Sequence, residues 1–462
     1  MHISELTVID TLLLLNSQNP SSNKQRGSLS VFRKKHVAGD DKMGMTMAEK
    51  VLARASNRLT VKPDDYVTAD IDVLMVVDMS FYPAYNLMID NGCKKVWDPD
   101  KIVLVMDHQY PAQNVAQAEA HRKIREYVKE QGIKYFYDGG FGICHQVLPE
   151  KGHVLPGLLI LGGDSHTTTY GAFGAASCGI GHTEIAYVMA KGSHWLRVPE
   201  TIRFILSGSL PRGVSSKDIM LKIAGHYTAE VAQYKAVEFS GPGAKTLSVG
   251  GRMTISNMGV EIGAKFAFFE ADEKTYDFLK GRTDKGINFF GPDPDAQYLV
   301  SYEMDISSLE PQVACPHNVD NVKPISEIKD ITVQQAFIGS CTNARAEDLE
   351  RAASILKGRR VHPETRLLVI PASREVYTHI AESGALKTLV EAGAMFAPPV
   401  CGPCGGLNNG ILAPGETAIS SSNRNFKGRM GSPESFVYLA SPETVAASAI
   451  EGKIADPREY IS

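Results

Sequence analysis

Short, wholly apolar runs alternate with longer amphipathic stretches over most of this chain. From residue 43 to about 200 the pattern repeats, as where Ile102 to Met106 is followed by the helix-length stretch from Asn114 to Gln131. A buried strand followed by a surface helix is the unit of a parallel α/β layer. Ahead of these units, Met43-Gly-Met-Thr-Met-Ala-Glu opens a helix with Thr46 as N-cap and Glu49 three positions on, the pattern of a capping box. Glycine clusters close the strands: Asp138-Gly-Gly-Phe-Gly, Leu161-Gly-Gly-Asp-Ser-His, and the stretch from Gly171 to Gly181. Open α/β sheets bind ligands at the carboxyl ends of their strands, so the polar residues in these clusters are site candidates. A second α/β stretch from about 200 to 320 contains Ser256-Asn-Met-Gly-Val-Glu-Ile-Gly. A third begins near Ile331, where Gln335-Ala-Phe-Ile-Gly-Ser-Cys-Thr-Asn runs from a strand into a turn, with a helix from about Glu347. The reading is an α/β protein divided at 43–200, 201–320 and 321–462, preceded by residues 1–42 as a leader or upstream extension without order of its own.

Composition narrows the function. A chain of 462 residues exceeds a single ordinary core. With a net charge of −4 and no long basic stretch, it lacks the electrostatic footprint of a dedicated nucleic-acid binder, so a small ligand is expected. Seven cysteines, an odd number in no regular array, point to a reducing compartment and to thiols that are buried or ligating. The chain has no run of about 20 apolar residues that would span a membrane. Its nearest approach, Leu12 to Leu15, follows Glu5 and Asp10 with no Lys or Arg, which lacks the charge order of a secretory signal. The expected location is the cytoplasm, or an organelle matrix if residues 1–42, with Ser21, Ser22 and the basic Arg33, Lys34 and Lys35, are a targeting peptide. Met43 is the expected functional start.

The cysteines carry the chemistry. Cys341 lies in a strand-to-helix turn, and Cys401-Gly-Pro-Cys404 is a loop able to turn two thiolates toward one centre. By itself a Cys-x-x-Cys pair equally suits a redox couple or half of a structural zinc site. Three cysteines on glycine-rich loops, with Asn343 and other amides near to hydrogen-bond sulfur, suit a cubane whose fourth iron lacks a protein thiolate. Cys93, Cys144, Cys178 and Cys315 read as buried structural thiols, with Cys144 the one placed beside a candidate histidine.

Six separated motifs then resemble the aconitase superfamily from Met43 onward: Met106-Asp-His, Gly163-Asp-Ser-His-Thr, Asn257-Met-Gly-Val-Glu, Gly339-Ser-Cys-Thr-Asn, Cys401-Gly-Pro-Cys-Gly-Gly and Ser422-Asn-Arg-Asn-Phe-Lys-Gly-Arg. Within it the chain is similar to the large subunits of isopropylmalate isomerase, homoaconitase and 2,3-dimethylmalate dehydratase. The resemblance implies three α/β domains around a central cluster site, without the swivelling fourth domain of single-chain aconitases. It implies a 4Fe-4S cluster, one per subunit, held by Cys341, Cys401 and Cys404 with its fourth iron open to substrate, and with Asn257, Asn343 and Asn423 beside it. Asp107 with His108, His145, Asp164 with His166, and Glu261 match active-site positions, with His108 the expected proton donor and Glu261 the partner of His166. Ser165, Arg424 and Arg429 match positions that hold substrate carboxylates. The implied activity is reversible hydration and dehydration of a 2-hydroxy di- or tricarboxylic acid, with the isopropylmalate isomerisation of leucine biosynthesis expected first and the homoaconitate and dimethylmalate reactions as alternatives.

Two departures qualify the resemblance. The family's catalytic serine, in a Gly-Ser-Ser-Arg motif, is absent, and Ala372-Ser-Arg-Glu belongs to a different segment; a small swivelling-domain subunit is therefore expected to supply the serine. The stretch Asp78-Met-Ser-Phe-Tyr-Pro lacks the His-Asp or His-Glu followed by Val-Thr of related large subunits, which points to altered substrate contacts or altered packing. Two rivals remain open: a cluster-sensing nucleic-acid binder, and a structural or electron-transfer metal protein that would need neither the acid pair nor the arginines.

Overall fold

The structure, a computed structural model, describes residues 32–35 and 44–461. The capped helix is present over Met47–Ala55: the Thr46 side chain accepts from the Glu49 amide while the Glu49 carboxylate returns to the Thr46 amide, an arrangement worth about 1 kcal/mol. The predicted strand and helix follow as Ile102–Val105 and Val115–Gln131, the helix capped by Asn114.

The first sheet is wholly parallel, in the order Tyr135–Tyr137, Ile102–Val105, Val73–Val77, Leu159–Gly162, Ala176–Gly179. The chain begins this sheet at Val73–Val77, builds outward to one side, and returns to build on the other. The reversal opens a crevice at the carboxyl ends of Val73–Val77 and Leu159–Gly162, where a doubly wound sheet receives its ligand. The sheet's inner strands are buried on both faces, which is why they read as unbroken apolar runs and not as alternating ones.

A second sheet runs in the order Phe32–Lys35, Val300–Asp305, Thr201–Ser207, Ala236–Ser240, Phe266–Phe269, parallel except for its first strand. Phe204, Phe239 and Phe269 stack in its core at centroid spacings of 5.6 and 5.3 Å. Its first strand corrects part of the leader reading. Phe32–Lys35 pairs antiparallel with Val300–Asp305, because backbone pairing with an edge needs no apolar pattern, and Lys-rich strands suit an outer edge. The other leader residues, Leu12 to Leu15 and Met43 among them, lie outside the described residues.

The third sheet has the order Val322–Pro324, Gln312–Ala314, Phe436–Leu439, Thr417–Ser420, Gln335–Ile338, Arg366–Val369, Met395–Phe396, with its last five strands parallel. The order of strand addition reverses between Gln335–Ile338 and Thr417–Ser420, so a second crevice opens at their carboxyl ends, where Cys341 and Asn423 follow. Among the described residues no helix is long and apolar enough to cross a membrane.

Candidate active site

Residues from both crevices line one cavity of about 220 Å³. It includes His108, His145, Asp164, Ser165, His166, Cys341, Cys401, Cys404, Arg424 and Arg429, so most of the residues singled out in the sequence converge. Two glycines let the loops close. A Cβ on Gly163 would meet Ser80 Oγ at 2.2 Å. Gly402, between the two cysteines, has a φ of 66°, which turns the Cys401-Gly-Pro-Cys404 loop tightly enough to set both thiols on one side.

Asp164 is the hub of the histidine half. It caps the short helix Ser165–Phe173, accepting from the His166 amide at 2.8 Å. Its carboxylate also lies 3.2 Å from His108 Nε2 and 2.6 Å from His145 Nε2. Burial alone would raise the pKa of Asp164; the hydrogen bonds from His108, His145 and His166 outweigh it and hold the group well below the usual carboxylate range. His108 is flanked on its other nitrogen by Asp107 at 2.8 Å. Burial opposes its charged form, but the Asp107 and Asp164 carboxylates hold its pKa well above the ordinary histidine value. His145, by contrast, is pushed down by burial despite its bond to Asp164. The carboxylates thus favour the charged form of one ring while burial disfavours that of its neighbour.

His166 Nε2 lies 2.8 Å from Glu261, and Glu261 lies 2.8 Å from Arg424 Nε. Burial would raise Glu261, but His166 and Arg424 hold it below its usual value. Arg424 also donates from Nη1 to Ser165 Oγ at 3.0 Å. The guanidinium of Arg429 stands beside Cys404.

All seven cysteines are free, and Cys341, Cys401 and Cys404 are buried. Asn257 donates to Cys341 Sγ at 3.2 Å, and Asn423 lies across Cys341 and Cys404, at 3.6 Å from the first sulfur and 3.5 Å from the second. The hydrogen bond from Cys401 to Cys404 lowers the Cys404 pKa well below the thiol norm, and Arg429 adds to this. Three buried thiols facing one cavity, with carboxamides donating to sulfur and a guanidinium to offset negative charge, form a donor set that fits an iron–sulfur cluster. Asp78, Asp107 and His108 also place one ligand atom each within 4.8 Å of one another, but their acceptors are occupied. Asp78 receives the amides of His108 and Gln109, and Asp107 receives that of Cys144.

Asp107, Glu261, Asn257 and Asn423 do not line the cavity but contact side chains that do; Asn343 is turned away from it. The Asn343 side chain donates to Asp348 and Thr254 and lines a separate cavity behind the Cys341 turn. It braces the turn, its amide taken by the buried Asp348 carboxylate, a stronger acceptor than sulfur.

Sequence reasoning missed three supporting groups. Asp78 ties the helix Asp78–Asp90 to the His108 loop through those two amides. Arg345, fully buried, donates to the carbonyls of Cys341 and Thr342, each at 2.7 Å. Lys217, also fully buried, donates to the Ser421 carbonyl at 2.7 Å and to that of Ser422, pinning the loop that carries Asn423 and Arg424. Burial brings its ammonium down to about 7. The available signal was a lysine in the first turn of the helix Ser216–Tyr227, where the helix dipole disfavours a cation. Lys217→Met is expected to leave both carbonyls unpaired and to destabilise the fold by about 2–4 kcal/mol, measured as a lowered urea midpoint at unchanged slope. An unmoved midpoint would make the two bonds dispensable.

Fold and pocket together define an α/β enzyme whose site combines thiols, imidazoles and guanidiniums. The aconitase family (aconitate hydratase) matches residues 49–330 and 322–452. The chain belongs to the aconitase family, which implies a 4Fe-4S cluster. It is 52% identical over 419 residues to the 3-isopropylmalate dehydratase large subunit 1 of Methanopyrus kandleri, covering 91% of this chain and all of that one. It is 50% identical over 415 residues to the probable 3-isopropylmalate dehydratase large subunit of Methanothermobacter thermautotrophicus, covering 90% and 99%. To the probable methanogen homoaconitase large subunit of the same organism it is 46% identical over 419 residues, covering 90% and 98%.

Proposed function

We propose that this chain is the cluster-bearing large subunit of a hydro-lyase that reversibly dehydrates a 2-hydroxy di- or tricarboxylic acid, with isopropylmalate as its substrate. The observation that carries this is the opposition within one cavity of three thiols and an imidazole held between two carboxylates. The relatives' names support the choice of acid, and homoaconitate is the second reading.

Cys341, Cys401 and Cys404 would hold the cluster, which supplies a Lewis acid for the substrate hydroxyl and a carboxylate. The chain's own residues do the rest. His108, kept protonated by Asp107 and Asp164, delivers its Nε2 proton to the departing oxygen. Arg424, aligned by Glu261 and Ser165, and Arg429 receive the carboxylate on which negative charge accumulates, a task suited to the planar guanidinium fork. His145 and His166 orient the Asp164 carboxylate from two further sides. A small subunit, the counterpart of a large one, would supply the serine that takes the carbon-bound proton.

The test is anaerobic turnover of the cluster-loaded chain with and without a small subunit on isopropylmalate, homocitrate, citrate and dimethylmalate, followed by alkene absorbance. Turnover of isopropylmalate by the pair alone is the expected result. A loaded pair that turns over none of these acids would refute the reading.

A further inference from the structure

We propose that Met79 forms, with Leu407, an apolar subsite for the substituent of the hydroxy acid, so that this chain itself favours alkyl-substituted over carboxyalkyl-substituted malates. This rests on the functional reading above and narrows its substrate class.

The side chains of the cavity wall are imidazoles, a carboxylate, a hydroxyl, thiols and guanidiniums, with three apolar ones among them, Met79, Ile143 and Leu407. Ile143 is 1% exposed and offers almost no surface, Leu407 is half-buried, and Met79 is 39% exposed. Met79 packs into none of the four buried hydrophobic clusters among the described residues. A thioether standing open at a polar cavity gains when a hydrocarbon group covers it, and its unbranched chain adapts to the shape of that group.

Its backbone is held by the same carboxylate that ties down the His108 loop. The Met79 amide donates to Asp78 Oδ1 at 3.0 Å, and Asp78 receives the amides of His108 at 3.1 Å and Gln109 at 2.8 Å. The backbone at Met79 is therefore tied to the loop that carries His108. Charge accounting agrees. Both guanidiniums that line the cavity, Arg424 and Arg429, are taken by the carboxylate on which negative charge accumulates, which leaves neither for a carboxylate on the substituent. A third carboxylate set against Met79 would lose its hydration without gaining a donor. The atypical stretch at Asp78 to Pro83 is thus a specificity element, and part of the discrimination lies in the large subunit.

The experiment measures kcat/KM of the cluster-loaded complex with its small subunit on 2-isopropylmalate, 2-methylmalate and homocitrate. Wild type is expected to prefer isopropylmalate. Met79→Ala should lower kcat/KM for isopropylmalate about tenfold, the discrimination of one or two hydrocarbon groups in a pocket, while 2-methylmalate changes by less than about threefold. Met79→Lys should raise kcat/KM for homocitrate about tenfold. Equal losses on the two alkylmalates, or wild-type preference for homocitrate, would overturn the subsite while leaving the hydro-lyase reading intact. No turnover of any acid by the wild-type complex would overturn both.

Discussion

Replacing Cys401 by serine is expected to leave a folded chain that no longer gains the broad visible absorption of a reconstituted iron–sulfur protein and whose turnover falls to background. The substitution exchanges one buried sulfur for a smaller oxygen in a loop whose course is set elsewhere: by the positive φ of Gly402 and by the Cys401 amide, which donates to the Asp107 carbonyl at 3.0 Å. The fold should therefore survive, and circular dichroism and the urea midpoint should match wild type closely. Iron–sulfur clusters are held by soft thiolates, and a serine hydroxyl is a poor replacement that also stays protonated near neutrality. Cys315→Ser is the control, since Cys315 lines a separate cavity; it should retain both colour and activity. A coloured, active Cys401→Ser protein would remove this residue from the ligand set.

Asp164→Asn should cost about 10²- to 10⁴-fold in kcat, the usual worth of a positioned acid–base group. Asparagine keeps the shape but offers a single acceptor oxygen, and its amide meets rings that wildtype presents as donors. The sign of the accompanying pH shift is determined. Asp164 and Asp107 raise the His108 pKa against the cost of burial, so loss of the Asp164 charge lowers it, and the protonated fraction near neutral pH falls. The basic limb of the kcat–pH profile should move to lower pH in the variant. A profile unchanged in both height and position would show that His108 does not deliver the proton.

Much of this arrangement was legible in the sequence because the relevant signals are local. Apolar runs of strand length marked the buried sheets, and Thr46 with Glu49 marked a helix start. Cysteines on glycine-rich turns marked three thiols that line one cavity. What was hidden depends on partners distant in sequence. Nothing near Lys217 announces that its ammonium ends on carbonyls at 421 and 422, and nothing near Asp78 that it receives the amides after Asp107. Asn343 was misplaced for a related reason. Its neighbourhood in sequence contains a cysteine, but a turn can send adjacent side chains to opposite sides, and Asp348 drew the amide away. The edge strand at Phe32–Lys35 was missed because it is held by backbone pairing, which leaves little trace in residue type.

The site is divided between two sheets in a definite order along the chain. His108, His145, Asp164 and His166 all precede Cys341, Cys401 and Cys404, and the Cys401 amide rests on the Asp107 carbonyl. A ribosome therefore finishes the imidazole-bearing half before the first of the three thiols has been made. The last pieces to emerge are the Cys401-Gly-Pro-Cys404 loop, which needs the earlier half as its seat, and the strand that delivers Asn423 and Arg424. The three thiols are consequently made after every imidazole of the site's lining and before its arginines, and the loop that carries two of them closes on a carbonyl that is already in place.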